Sequence, residues 1–124
     1  MTANSEFNPQ QAQQHLDLDL LTQYRQMLGA DGIADTVNLL LQVLPSYFEA
    51  LHALAAAQSE TELRQQAHKA KSACRSGGLK VCGDMLAALE KGAWTNAELP
   101  TLLQTLEQEY ELASAHLQRW LQAG

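Results

Sequence analysis

The chain has 124 residues, a length that suits one domain with a single buried core. Its formal charge of −6 at pH 7 argues against non-specific binding to nucleic acid or to an anionic membrane. Apolar residues make up 46% of it, Gly and Pro are sparse and β-branched residues are few, a mixture that favours helix nearly throughout.

Residues 1–15 are polar, Gln-rich and without apolar period, and read as a loose tail in which His15 is incidental. The domain then runs over residues 16–124. Asp17 can cap a short first helix through Met27, with Leu18, Leu20, Leu21, Tyr24 and Leu28 as its apolar side and Gly29 as its end. A long helix follows from about Asp31 to Ala57, with Ile33, Val37, Leu40, Leu41, Leu44, Phe48, Leu51 and Leu54 at spacings of three and four. Pro45 predicts a kink in it, with two helices as the alternative. His52 sits at the edge of the apolar stripe and reads as a boundary residue. Ser59 to Glu62 forms an S-x-x-E capping box that opens a third helix, which runs to Gly77-Gly78. A fourth spans Leu79 to about Lys91 and closes at Gly92, with Trp94 packing near the connection. Asn96 caps a last helix through about Gln122, with Pro100 in its first turns and Leu99, Leu102, Leu103, Leu106, Tyr110, Leu112, Leu117, Trp120 and Leu121 on its core side. Connections this short make neighbouring helices antiparallel. The predicted fold is all-α, an antiparallel up-down four-helix bundle with a short additional N-terminal helix.

Two cysteines, Cys74 and Cys82, are too few for a disulfide scaffold, and neither a signal peptide nor an apolar run of membrane-spanning length is read from the sequence. The expected compartment is the cytoplasm, with reduced thiols. No C-x-x-C or H-x-x-x-H pair is present, so no metal site is expected.

The chemistry concentrates in the third helix. Leu63, Ala67, Ala70 and Cys74 form its buried stripe, and His68 lies roughly 125° away from that stripe, pointing to solvent beside Arg64, Lys71, Ser72 and Arg75. Five of the eight Lys and Arg residues (Arg64, Lys69, Lys71, Arg75, Lys80) fall in the 17 positions around His68. An exposed imidazole in a local basic surface of an acidic chain suits a phosphoryl acceptor. Such an acceptor needs an open ring nitrogen, positive charge near the incoming oxygens and room for the donor. Lys71 and Arg64, each a turn away, flank the ring, and Ala67 and Ser72 are small neighbours that leave space.

The spacing of His68, Lys71 and Gly78 resembles the H-x-x-K-G-x-x-x-x-x-G motif of the histidine-containing phosphotransfer (HPt) domains of bacterial multistep phosphorelays. The resemblance extends from Leu16 to Leu121 and is greatest to the C-terminal HPt domain of hybrid sensor kinases of the anaerobic-response type. It implies that His68 takes a phosphoryl group from the aspartyl phosphate of a hybrid kinase's receiver domain and passes it to an aspartate of a response regulator. Lys71 would steady the phosphate. Glu90 stands at the offset of the polar residue that orients the imidazole in this family. Mg²⁺ would belong to the receiver, leaving this chain with no cofactor and no kinase activity of its own. Partners would be receiver domains, with no nucleic acid and no membrane contact. Two positions depart from the pattern: Ser72 replaces the usual glycine, and Arg75 replaces a residue that is often small. Arg75 would pair with phosphate or tune which receiver docks. The alternative from another class is a helical adapter that docks receivers or partner helices without phosphotransfer.

Overall fold

The computed structural model describes residues 6–123, which contain helices and no strand. The helices are α1 (Pro9–Ala12), α2 (Leu18–Ala56), α3 (Glu60–Ser76), α4 (Lys80–Lys91) and α5 (Leu99–Ala123). Successive long helices pack in a ring, α2 on α3, α3 on α4, α4 on α5 and α5 back on α2, which is the expected four-helix bundle.

The N-terminal segment is not a loose tail over the residues described. Asn8 accepts from the backbone N–H groups of Gln10 and Gln11, and Pro9 follows at the first helical position with φ already set. Ala12 and Leu16 are fully buried, Phe7 packs on the core, and His15 Nδ1 donates to the Glu109 carboxylate at 2.8 Å. One turn of helix is too short to show a period, so the polar composition hid it. The first five residues of the expected tail lie outside those described.

α2 is continuous apart from Gly29, whose φ of 76° and ψ of 172° interrupt the helical geometry. The short first helix therefore joins the long one without a loop. Pro45 does not split the helix. It removes the N–H that would reach the Leu41 carbonyl, and Tyr110 on α5 supplies the donor instead, its hydroxyl 3.3 Å from that oxygen. Burial pushes the Tyr110 hydroxyl up to about 12, so it stays a donor. An 18-residue window of α2 reaches a mean hydropathy of 1.3, contrary to the sequence reading that no such run exists. In the bundle, α2 turns Ile33, Val37, Leu44, Phe48 and Leu51 into the core.

α3 begins where expected, but Ser59 makes no side-chain cap. A one-sided version forms at Thr95 to Glu98 instead: Glu98 Oε1 accepts from Thr95 N and Oγ1, both at 3.0 Å, while Glu98 N donates to the Thr95 carbonyl. The last helix begins at Leu99, so Asn96 is not its cap. α5 buries Leu99, Leu103, Leu106, Glu109, Ala113, His116, Leu117 and Trp120. Leu102 and Leu112, expected in the core, are exposed, because the stripe follows the 99-103-106 register.

α3 ends in a Schellman arrangement. Leu79 N donates to Cys74 O at 2.8 Å and Gly78 N to Arg75 O at 3.2 Å, with Gly78 at a φ of 80°. A Cβ there would meet Leu21 at 2.8 Å, so Gly78 is a packing and turn residue. The tight turn lays α4 back along α3 and so determines which α4 residues face His68.

Because Ala12 is fully buried, Ala12→Glu should lower the melting temperature by about 5 °C or more. A melting temperature equal to that of the unmodified chain would restore the loose-tail reading.

Candidate functional site

The buried stripe of α3 comprises Leu63, Ala67, Ala70 and Cys74. His68 consequently projects outward, and its side chain is 60% exposed. Opposite it, the last full turn of α4 presents Glu90, whose side chain is only 15% exposed. Glu90 Oε2 lies 2.9 Å from His68 Nδ1, and Oε1 lies 2.6 Å from Lys71 Nζ.

The hydrogen bond from Lys71 holds the Glu90 carboxyl below the usual carboxylate range, and His68 adds to the effect. Glu90 is therefore ionised near neutral pH and acts only as an acceptor. A neutral His68 must then carry its proton on Nδ1, which leaves the Nε2 lone pair free and turned away from Glu90. The arrangement presents a nucleophilic nitrogen to solvent and keeps a negative charge behind the ring, where it would stabilise an imidazolium. An open groove beside the ring is lined by Thr61, Arg64, Gln65, His68, Glu90 and Lys91.

The structure brings His68, Lys71 and Glu90 together and distributes the other candidates elsewhere. Ala67 is fully buried and offers no surface to a partner. Ser72 is exposed one turn beyond His68. Arg64 turns away from the ring toward α4, with Nη1 at 2.9 Å from the Glu90 carbonyl and Nε at 3.3 Å from Glu60 Oε2. Arg75 crosses to α4, donates to Asp84 at 3.2 Å and lies over Gly83, where a Cβ would come within 2.6 Å of its side chain. Gly78 sits ten residues on, about 15 Å along the helix, and does not reach the ring. Lys69 Nζ lies 4.8 Å from the centre of the Tyr47 ring. The basic rim expected around the imidazole is thus largely engaged with carboxylates, carbonyls and aromatic rings.

Sequence reasoning missed Trp94, Glu60 and Asp84 as partners of these cations. Asp84 was findable, because the turn at Gly77-Gly78 folds α4 back so that residues about nine apart face one another. The cysteines are free and buried. A hydrogen bond with Cys74, together with burial, pushes the Cys82 thiol far up, which leaves it unreactive. Among the described residues no three His, Cys, Asp or Glu side chains converge as a metal site.

A folded-state carboxyl held below its ordinary value contributes stability above that value and loses it as pH falls through the folded one. The stability difference between the unmodified chain and Glu90→Gln should therefore be largest near neutral pH and shrink below about pH 4, in denaturant titrations at several pH values. A difference that is constant with pH would show that the ion pair contributes nothing.

No family model matches the chain, and no curated protein matches it in sequence. Two solved structures of one domain match it in shape. The solution structure of the histidine-containing phosphotransfer domain of the anaerobic sensor kinase ArcB from Escherichia coli is 21% identical with a TM-score of 0.76, covering 86% of this chain and 87% of that one. A second structure of the ArcB phosphotransfer domain is 23% identical, also with a TM-score of 0.76, covering 90% of this chain and 97% of that one. The chain thus has the helical-bundle fold of a histidine-containing phosphotransfer domain.

Proposed function

We propose that the chain is a phosphorelay intermediate that carries a phosphoryl group on His68 between two receiver-domain aspartates. The observation that carries the reading is the hold of Glu90 on Nδ1 of an imidazole that is otherwise open to solvent. In the forward step Nε2 attacks the phosphorus of a receiver aspartyl phosphate. The P–N bond forms as the acyl P–O bond breaks, and the bonding pair leaves on the receiver carboxylate. The ring keeps its Nδ1 proton and becomes a phosphoimidazolium whose positive charge faces Glu90. The reverse attack by a response-regulator aspartate discharges it.

Lys71 has a flexible stem and can trade a Glu90 oxygen for a phosphoryl oxygen, acting as a point charge on the transferring group. Mg²⁺ and the remaining charge stabilisation come from the receiver. An apolar groove between α2 and α3, lined by Leu39, Leu40, Val43, Ala73 and Ser76 among others, lies one to two turns along α3 from His68 and gives the receiver an apolar face to rest on. The reaction is placed in the cytoplasm, where receiver domains operate.

The test is incubation of the chain with phosphorylated receiver domains of hybrid kinases and Mg²⁺. The unmodified chain should gain an acid-labile, base-stable label on His68, and His68→Gln should gain none while keeping its helical circular-dichroism spectrum. A chain that binds the receivers but stays unlabelled is an adapter.

A further inference from the structure

Arg64 and Trp94 form a clamp on the end of α4 that the proposed transfer chemistry does not itself require. The last carbonyls of a helix have no partner within it. Here Arg64 Nη1 donates to the Glu90 carbonyl at 2.9 Å and approaches the Leu89 carbonyl at 3.5 Å, while Trp94 Nε1 donates to Leu89 at 2.9 Å. The guanidinium carbon lies 4.5 Å from the centre of the Trp94 ring. One cation thus satisfies helix-end carbonyls, complements the negative end of the α4 dipole and stacks on the residue that caps the same turn.

We infer, resting on the phosphoryl-acceptor reading above, that Arg64 is a positioning residue for His68, acting through the end of α4 rather than by touching the phosphoryl group. The carbonyl that Arg64 holds and the carboxylate that holds the imidazole belong to the same residue. Glu90 is the next-to-last residue of α4, where helices fray. Its carboxylate must meet His68 Nδ1 at 2.9 Å and Lys71 Nζ at 2.6 Å together, and a frayed backbone would lose one of the two. Pinning the Glu90 carbonyl directs its side chain at both. The side chain of Arg64 is only a quarter exposed and its Nε and Nη1 donors are already engaged, so phosphate recognition is not its first role.

The test compares rates of label transfer from a phosphorylated receiver to five forms of the full chain: unmodified, Arg64→Gln, Arg64→Lys, Glu90→Ala and the Arg64→Gln/Glu90→Ala double variant. All are measured at a temperature where circular dichroism shows each to be folded. Arg64→Gln should slow transfer by about tenfold, the usual scale for a group that orients a reacting ligand. In the Glu90→Ala background the same change should cost nothing further, because there is no acceptor left to aim at the imidazole. Arg64→Lys should recover part of the rate, since an ammonium reaches a carbonyl but lacks the planar fork that also stacks on Trp94. Should Arg64→Gln fail to fold, Arg64→Lys takes its place in the cycle, with a loss of a few-fold that likewise vanishes with Glu90→Ala. Equal losses in both backgrounds would assign Arg64 to the phosphoryl group directly, and no loss in either would remove it from the site; both overturn the inference. Failure of the unmodified chain to take label would instead overturn the acceptor reading.

Discussion

The Glu90 carboxylate accepts from His68 Nδ1 with one oxygen and from Lys71 Nζ with the other, and so ties α4 to the outward face of α3. Everything chemically distinctive about the molecule depends on that bridge. Lys71 holds the carboxyl below its ordinary value, the ionised carboxylate keeps the proton of a neutral ring on Nδ1, and the proton on Nδ1 leaves the Nε2 lone pair free. An exposed histidine without such a partner would exchange its proton between the two nitrogens and present either one.

The bundle holds that bridge in register. The turn at Gly77-Gly78 returns α4 along α3, with Gly78 in the left-handed region and packed on Leu21. Arg75 then lies across Gly83 to reach Asp84, and Arg64 holds the far end of α4. The two arginines therefore stitch the hairpin on either side of the His68–Glu90 contact. A buried polar group sits on the opposite side of the bundle, where His15 bonds Glu109 and stacks on His116 with ring centres 5.0 Å apart. Burial holds the His116 imidazole below its ordinary value.

The parts of the fold that repeat were legible in the sequence. Leu63, Ala67, Ala70 and Cys74 share a stripe because helical period alone puts them there, and the same geometry turned His68 outward. The glycine pair was readable as a helix end for the conformation it adopts. What stayed hidden depends on partners far apart in sequence. The N-terminal turn is held by Asn8, Ala12 and His15 against α5, and no local pattern announces a residue 94 positions away. The basic surface around His68 looked free because charge counting does not show where a long side chain points; in three dimensions Arg64 and Arg75 are spent on α4. Three S/T-x-x-E stretches were present, at Ser46, Ser59 and Thr95: Ser46 lies inside α2, Ser59 makes no side-chain cap, and only at Thr95 does the glutamate three residues on accept from the backbone N–H. Glu90 came into view only through the resemblance to a known motif, since it sits 22 residues from His68.

The central claim is that Glu90 sets the tautomer of His68. A long-range proton–nitrogen correlation spectrum of the histidine-labelled chain near neutral pH reads it directly, with Glu90→Ala assigning the effect. The account predicts that neutral His68 is protonated on Nδ1 and bare on Nε2, and that this preference disappears in Glu90→Ala. A neutral ring protonated on Nε2 in the unmodified chain would contradict it.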